Sequence, residues 1–130
     1  MSTIKANTLL HSDGSTTNPP AIPALDKRMA TAWANFDGTT GIVVRNSFNV
    51  SSITDQAVGK YTVNFNTALP NVNYVVSMSS EDGGGFNDPR VCNRDSSQAR
   101  TTSAFGIYHW HLGSSALDDA THVNLIVFAS

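Results

Sequence analysis

The chain has few charged residues, one cysteine and no long run of apolar residues. Charged side chains make up 14% of its 130 residues, and the formal net charge at pH 7 is −2, whereas a soluble domain usually has about 25% charged residues. This composition provides no basic surface for nucleic acid or for an anionic membrane, so we expect neither as a partner. The lone cysteine, Cys92, excludes a disulfide within the chain and a cysteine-based zinc site.

Membrane and export signals are also missing from the sequence. No apolar run approaches the roughly 20 residues of a membrane-spanning helix, and the first residues lack the basic and apolar regions of a signal peptide. We therefore expect a protein that is made in a cytoplasm and does not enter a membrane.

Neutral hydrogen-bonding residues take the place of the missing charges. Ser, Thr and Asn together account for 40 residues, while there is one glutamate and there are three lysines. Ser, Thr and Asn side chains compete with the backbone for hydrogen bonds in a helix, so this composition favours strands and turns. The length suits a single domain with its own core.

Residues 1–29 are predicted to form an extended N-terminal arm. Pro19, Pro20 and Pro23 fix their own φ angles and keep the residues before them out of the helical region. A short helix is predicted over residues 23–30, with a proline in its first turn. The apolar side chains of the arm are too few for a core but too many for a solvated tail, and we predict that they attach it to another protein: Ile4, Leu9, Leu10, Ile22 and Leu25.

Residues 30–130 are predicted to form an all-β body, because apolar and polar residues alternate in several short runs. Tyr61, Val63 and Phe65 illustrate the alternation and define one buried face. The predicted strands are residues 31–36, 41–46, 48–54, 60–65, 71–78, 103–112 and 122–128, with longer loops at 81–95 and 113–120. Seven short strands favour an antiparallel β-sandwich or jelly roll. Asp37-Gly38-Thr39-Thr40-Gly41 would then join the first two strands, and packing alone would explain Trp33.

The first half of the body resembles a module of bacteriophage tail-fibre and other virion proteins. The similar segment, residues 32–65, reads AWANFDGTTGIVVRNSFNVSSITDQAVGKYTVNF. The pattern of the module is met at residues 33, 35, 36, 38, 45, 47–55, 59, 61–65, 70, 73 and 74. Residues 1–8 also resemble the start of small fibre-like proteins of marine and cyanobacterial phages. The resemblance implies a homotrimeric virion component whose N-terminal segment attaches to the particle and whose body faces outward.

The leading hypothesis is therefore a phage virion structural protein, assembled in the host cytoplasm. It would be a short homotrimeric fibre, held to capsid, neck or tail proteins by its arm, with a body that contacts the host surface, for example a glycan. Sheet edges with few lysines also favour an oligomer. A capsid decoration protein that stabilises the head lattice and a carbohydrate-binding module are the alternatives.

An enzyme is not expected, because the sequence lacks the motifs that catalysis would need. There is no Gly-x-Ser-x-Gly elbow, no phosphate-binding glycine loop and no carboxylate pair within an aromatic cleft. Cys92 and a histidine could act as nucleophile and base, but their spacing does not favour it.

Two segments are candidate binding sites. His109 and His111 project from the same face of a predicted strand, about 7 Å apart, and three copies around a threefold axis could hold a metal ion. In the alternative interpretation Trp110 fills the core and the histidines line a polar face or trimer interface. No other cofactor is expected. The second segment, residues 81–90, is a glycine-rich loop. It is either a solvated loop or a ligand, calcium or receptor site formed by Asp82, Phe86, Asn87 and Arg90.

Overall fold

A computed structural model describes Leu10, Gly14 and residues 29–81 and 89–130. Within these residues the chain forms strands and no helix. The strands are β1 (Ala32–Asp37), β2 (Val43–Phe48), β3 (Val50–Ala57), β4 (Lys60–Phe65), β5 (Val75–Glu81), β6 (Arg90–Arg94), β7 (Ala104–His111), β8 (Ala116–Leu117) and β9 (His122–Phe128). It follows that no helix in the described part of the chain could cross a membrane.

The seven predicted strands correspond to β1 to β5, β7 and β9. Two corrections are needed, because β6 and β8 lie within the segments predicted as loops. Neither has the apolar alternation of a half-buried strand: β6 reads RVCNR, and β8 has two residues. Both form by pairing with β7. The short helix predicted over residues 23–30 and most of the arm lie outside the described residues.

The strands form two antiparallel sheets packed as a β-sandwich. The first sheet has the order β2-β1-β9-β5, and the second has the order β3-β4-β7-β6. The pairing of β4 with β7 ends at Lys60 and Tyr108. Strand β8 pairs with the following residues of β7, Trp110 and His111, and completes the second sheet. The predicted first hairpin is present, since β1 pairs with β2.

The core lies between the two sheets and follows the alternation of the sequence. Tyr61, Val63 and Phe65 are buried on the inner face of β4, as predicted. The Phe65 ring centroid lies 5.8 Å from that of Tyr74 and 5.7 Å from that of Phe105. Other inward side chains come from β1, β7 and β9, namely Ala32, Ala34, Phe36, Ile107, Val123, Leu125 and Val127.

Asn49 carries the chain from the first sheet to the second. Its φ is 54°, in the left-handed region that asparagine tolerates better than most residues. Its side chain accepts a hydrogen bond from the Thr67 backbone at 2.7 Å and donates to the Thr31 carbonyl at 3.2 Å. Asn49 therefore joins three segments at the end of the sandwich where β1 begins.

Candidate functional site

The outer face of the first sheet carries a contiguous group of apolar side chains. Trp33 lies directly opposite Phe48 on β2 and Ile126 on β9, and Phe128 lies opposite Val75 on β5. These five residues are called the outer apolar patch. Phe48 is 50% exposed and Val75 is 65% exposed. Ala32, Ala34 and Phe36 are buried on the inner face of β1, so Trp33 lies on its outer face. Packing in the core therefore does not explain Trp33.

A row of amides and a hydroxyl borders the outer apolar patch. Asn46, Asn35, Asn124 and Ser79 lie side by side across the same face. The Asn35 amide donates a hydrogen bond of 2.6 Å to the Asn124 side-chain oxygen. An apolar centre with a hydrogen-bonding border has the composition of a protein interface.

Charged groups lie beyond the polar row. Arg45 contacts Asp37 at 2.8 Å and donates to the Thr121 carbonyl. Hydrogen bonds from Thr39 and the nearby Arg45 guanidinium hold the pKa of Asp37 below its ordinary value. The outer apolar patch therefore occupies the end of the sheet away from this ion pair.

The outer face of the second sheet has a groove, called here the aromatic groove. Trp110 on β7 lies opposite Val91 on β6 and Leu117 on β8, while Tyr108 lies opposite Lys60 on β4. The groove is open to solvent and encloses about 570 Å³, with a lining of Lys60, Val91, Asp95, Tyr108, Trp110, Leu112 and Leu117. Apolar and aromatic walls with a few polar groups are typical of binding sites.

Lys60 and Asp95 form the charged end of the aromatic groove. Lys60 Nζ lies 3.4 Å from Asp95 Oδ2. Asp95 is 6% exposed, and its carboxylate accepts hydrogen bonds from the Ser97 hydroxyl at 2.6 Å and the Ser97 backbone N–H at 2.8 Å. These bonds, and then Lys60, lower the pKa of Asp95. The carboxylate stays ionised at neutral pH and fixes the position of Lys60.

The lowered pKa predicts an acid-dependent contribution of Asp95 to stability. Because the folded state has the lower pKa, the contribution is present above about pH 5 and is lost as the pH falls through the folded-state pKa. Asp95→Asn should cost about 1–2 kcal/mol at pH 7, by weakening the bonds to Ser97, and less at low pH. Urea unfolding at several pH values measures this, with the exposed Asp55→Asn as the control. A cost of Asp95→Asn that is equal at all pH values would contradict it.

His109 and His111 lie on the same side of β7, and both approach Asp118. His109 is buried, with Nδ1 2.7 Å from the Asp118 carbonyl oxygen, and His111 Nδ1 lies 3.7 Å from Asp118 Oδ2. The described ranges contain no group of three or more His, Cys, Asp and Glu side chains placed so that they could hold a metal ion. A site shared between copies of the chain remains a prediction.

The alternative interpretation of this strand is wrong. His109 faces the core and Trp110 faces outward, the reverse of the expectation. Phe105 and Ile107 determine the inner face of β7, and the alternation of a strand then places His109 on that face as well. The Nε2 atom of His109 is buried and has no hydrogen-bond partner among the described residues.

The Asp118-Asp119 pair connects strands at one end of the sandwich. Asp119 accepts hydrogen bonds from the Tyr61 hydroxyl at 2.8 Å and the Gly59 N–H at 2.7 Å. Burial, with the neighbouring Asp119 carboxylate, raises the pKa of Tyr61. Asp118 forms an ion pair with Arg90, and this hydrogen bond lowers the Asp118 pKa.

Of the remaining candidate residues, some lie within the described part of the chain and others lie outside it. Arg90 begins β6 and pairs with Asp118, whereas Asp82, Phe86 and Asn87 lie outside the described residues. Leu10 of the predicted attachment set is exposed, and Ile4, Leu9, Ile22 and Leu25 lie outside. Sequence reasoning missed the aromatic groove, because the two sides of the groove are formed by β6 and β8, which lie in segments predicted as loops.

Cys92 and His109 are direct partners across β6 and β7, the arrangement that a nucleophile and base would need. Burial raises the pKa of the Cys92 thiol to about 12. The thiolate, which is the reactive form, is therefore scarce at neutral pH. This pair has the character of core packing.

Comparison with known proteins gives no relatives from which to transfer a function. No family model, no curated protein and no solved structure matches the chain.

Proposed function

We propose that the chain is a phage virion structural protein, a short homotrimeric fibre that is attached to the particle by its N-terminal arm. The observation that carries the proposal is the outer apolar patch. The resemblance of residues 32–65 to fibre modules adds the virion context. In this proposal the β-sandwich is the outward part of the fibre, contacts the host surface and performs no catalysis.

The outer apolar patch supports assembly because of its position as well as its composition. Its side chains come from all four strands of the first sheet, from Phe48 on edge strand β2 to Val75 on edge strand β5. None of the five is charged, although exposed sheet faces are normally polar. A contiguous apolar surface of this kind marks a contact with another macromolecule.

The extent of the face is also consistent with contact between copies. A stable protein interface buries roughly 800 Å² on each partner, which is more than five side chains provide. The neighbouring row of Asn46, Asn35, Asn124 and Ser79 lies on the same face and would extend the contact. Amide side chains both donate and accept, so this row can form hydrogen bonds with polar groups of a neighbouring copy.

A lysine in the outer apolar patch should therefore separate the copies. Phe48→Lys places a charge in the proposed interface, where burying it without a partner is costly. We expect the wild-type chain to be a trimer in sedimentation equilibrium and light scattering, and the variant to be a monomer with an unchanged circular dichroism spectrum. Val58→Lys is the matched control, since Val58 is 59% exposed and lies outside the patch.

The result of this experiment decides the oligomeric part of the proposal. A trimer that both lysine variants retain would show that the patch is not the interface. A wild-type monomer would contradict the trimeric fibre and favour a carbohydrate-binding module.

The virion part needs the parent particle itself. Cryo-electron microscopy that traces this chain should show it projecting from the tail or neck. Density on the capsid lattice would instead identify a decoration protein. Deletion of residues 1–23 should abolish incorporation into particles while the body stays folded.

A further inference from the structure

We propose that the aromatic groove binds the proline-rich segment of a neighbouring copy, residues 18–23, which read Asn-Pro-Pro-Ala-Ile-Pro. The inference rests on the proposed assembly from several copies, and it assigns to that assembly a second contact, in which each copy completes a site on the next.

The groove has the chemistry that recognises polyproline segments. Tyr108 and Trp110 lie two residues apart on the outer face of β7, with the aliphatic side chains of Val91 and Leu117 opposite Trp110. Aromatic-lined grooves bind proline-rich segments because the proline rings pack against aromatic faces. Such a segment loses little conformational entropy on binding, since proline restricts it beforehand.

The charge and the length of the segment also match the groove. Residues 18–23 carry no charge, and Lys60 and Asp95, the charged residues in the described lining of the groove, pair with each other. From Tyr108 to Leu112 the groove follows β7 for about 13 Å, at the rise of an extended strand. Four residues of a polyproline helix, at about 3.1 Å each, span this length, which corresponds to Pro20–Pro23.

The position of the arm points to a neighbouring copy as its source. The Thr31 N–H donates to the Val127 carbonyl, and Asn49 contacts Thr31, so the arm leaves the body at that end of the sandwich. The groove is at the opposite end of the other sheet, where Lys60 begins β4 and Gly59 accepts a hydrogen bond from the His109 N–H.

The reach of the chain supports this assignment. Pro23 and Ala30 are seven Cα–Cα steps apart, which extend over at most about 25 Å. The route to the groove of the same chain follows the length of β4, about 17 Å, and then passes around the sandwich, whose sheets alone are about 10 Å apart. The chain between Pro23 and the body is therefore too short for Pro23 to reach the groove of its own body, whereas the groove of a neighbouring copy can lie beside Pro23.

Cross-linking between two differently tagged full-length chains tests the contact. One chain carries Ala21→Cys in the proline-rich segment, and the other carries Leu112→Cys at the rim of the groove, where Leu112 is 49% exposed. The chains are co-expressed and treated with a short bismaleimide. The Cys92 thiol is partly buried and its pKa is raised, so it should react slowly, and the wild-type chain measures its background.

We expect a heterodimeric product from this pair. Its yield should exceed by at least about tenfold that obtained when the second chain carries Val43→Cys, because a bound segment has a millimolar effective concentration near the groove. Val43 is 55% exposed and lies on the first sheet. Pro20→Ser with Pro23→Ser in the first chain should reduce the yield to the level of this control.

Three results would overturn the inference. Equal yields for Leu112→Cys and Val43→Cys would show that the segment does not occupy the groove. A product that forms only within a chain carrying both Ala21→Cys and Leu112→Cys would assign the segment to its own body. A yield insensitive to the two serine substitutions would exclude proline recognition and leave the groove for another ligand, such as a glycan. In each case, the Phe48→Lys experiment would still decide whether the proposed trimer exists.

Discussion

Replacement of Phe65 by alanine should lower the free energy of unfolding by about 3–5 kcal/mol, the cost of removing a large aromatic side chain from a packed core. Phe65 is 7% exposed. Its ring contacts Tyr74 edge-on and lies beside Phe105, and Tyr74 and Phe105 also contact each other. The loss of one ring from this group of three leaves a cavity that rigid strands on both sheets cannot fill.

Equilibrium unfolding in urea, monitored by circular dichroism, measures this effect. Val58→Ala is the control, since Val58 is 59% exposed, and it should change the free energy by less than about 0.5 kcal/mol. A loss of less than about 1 kcal/mol for Phe65→Ala would mean that Phe65 does not belong to the core.

Replacement of Gly59 by alanine should destabilise the fold by at least about 2 kcal/mol, from backbone strain and steric overlap together. Gly59 has a φ of +64°, and a Cβ atom there would lie 2.6 Å from the Asp118 carbonyl oxygen and 2.7 Å from that of His109. These contacts are with backbone atoms, so no side chain can rotate away. The strands β4, β7 and β8 meet at this point and would have to separate.

Gly41 provides the matched control for this substitution. Its φ is +95°, but nothing lies within 4 Å of the position of a Cβ atom. Gly41→Ala therefore measures the conformational strain alone, about 1–2 kcal/mol. Thermal unfolding of both variants gives the difference. Equal losses of stability would show that the close approach at Gly59 has no energetic effect.

The alternation of residues made most of the strands predictable. In β4, Tyr61, Val63 and Phe65 occupy one face, and the polar Thr62 and Asn64 occupy the other. A period of two identifies both faces, but which face is buried depends on the whole strand. The size of Trp33 on β1 and of Trp110 on β7 favours burial, but the residues that alternate with these tryptophans form the inner face.

The candidate sites were less predictable because they depend on pairing between distant strands. The outer apolar patch requires the register of Trp33 with Phe48 and Ile126, which lie far apart in the sequence. The aromatic groove requires β6 and β8, which have no periodicity of their own. The charge of Asp95 is readable from the sequence, but its burial is not, since this follows from the hydrogen bonds of Ser97 and from the sheet pairing that surrounds it.

The central pairing of β1 with β9 has a consequence for how the chain folds. Ala32 lies beside Val127, so the first sheet joins residues at opposite ends of the body. Such distant contacts slow folding, because the entropy of closing a long loop is lost before the contacts form. During synthesis β1 and β2 can form only a hairpin until β9 has left the ribosome. The apolar faces of β1 remain accessible throughout this interval, when a chaperone or an early contact with another nascent chain would have the greatest effect.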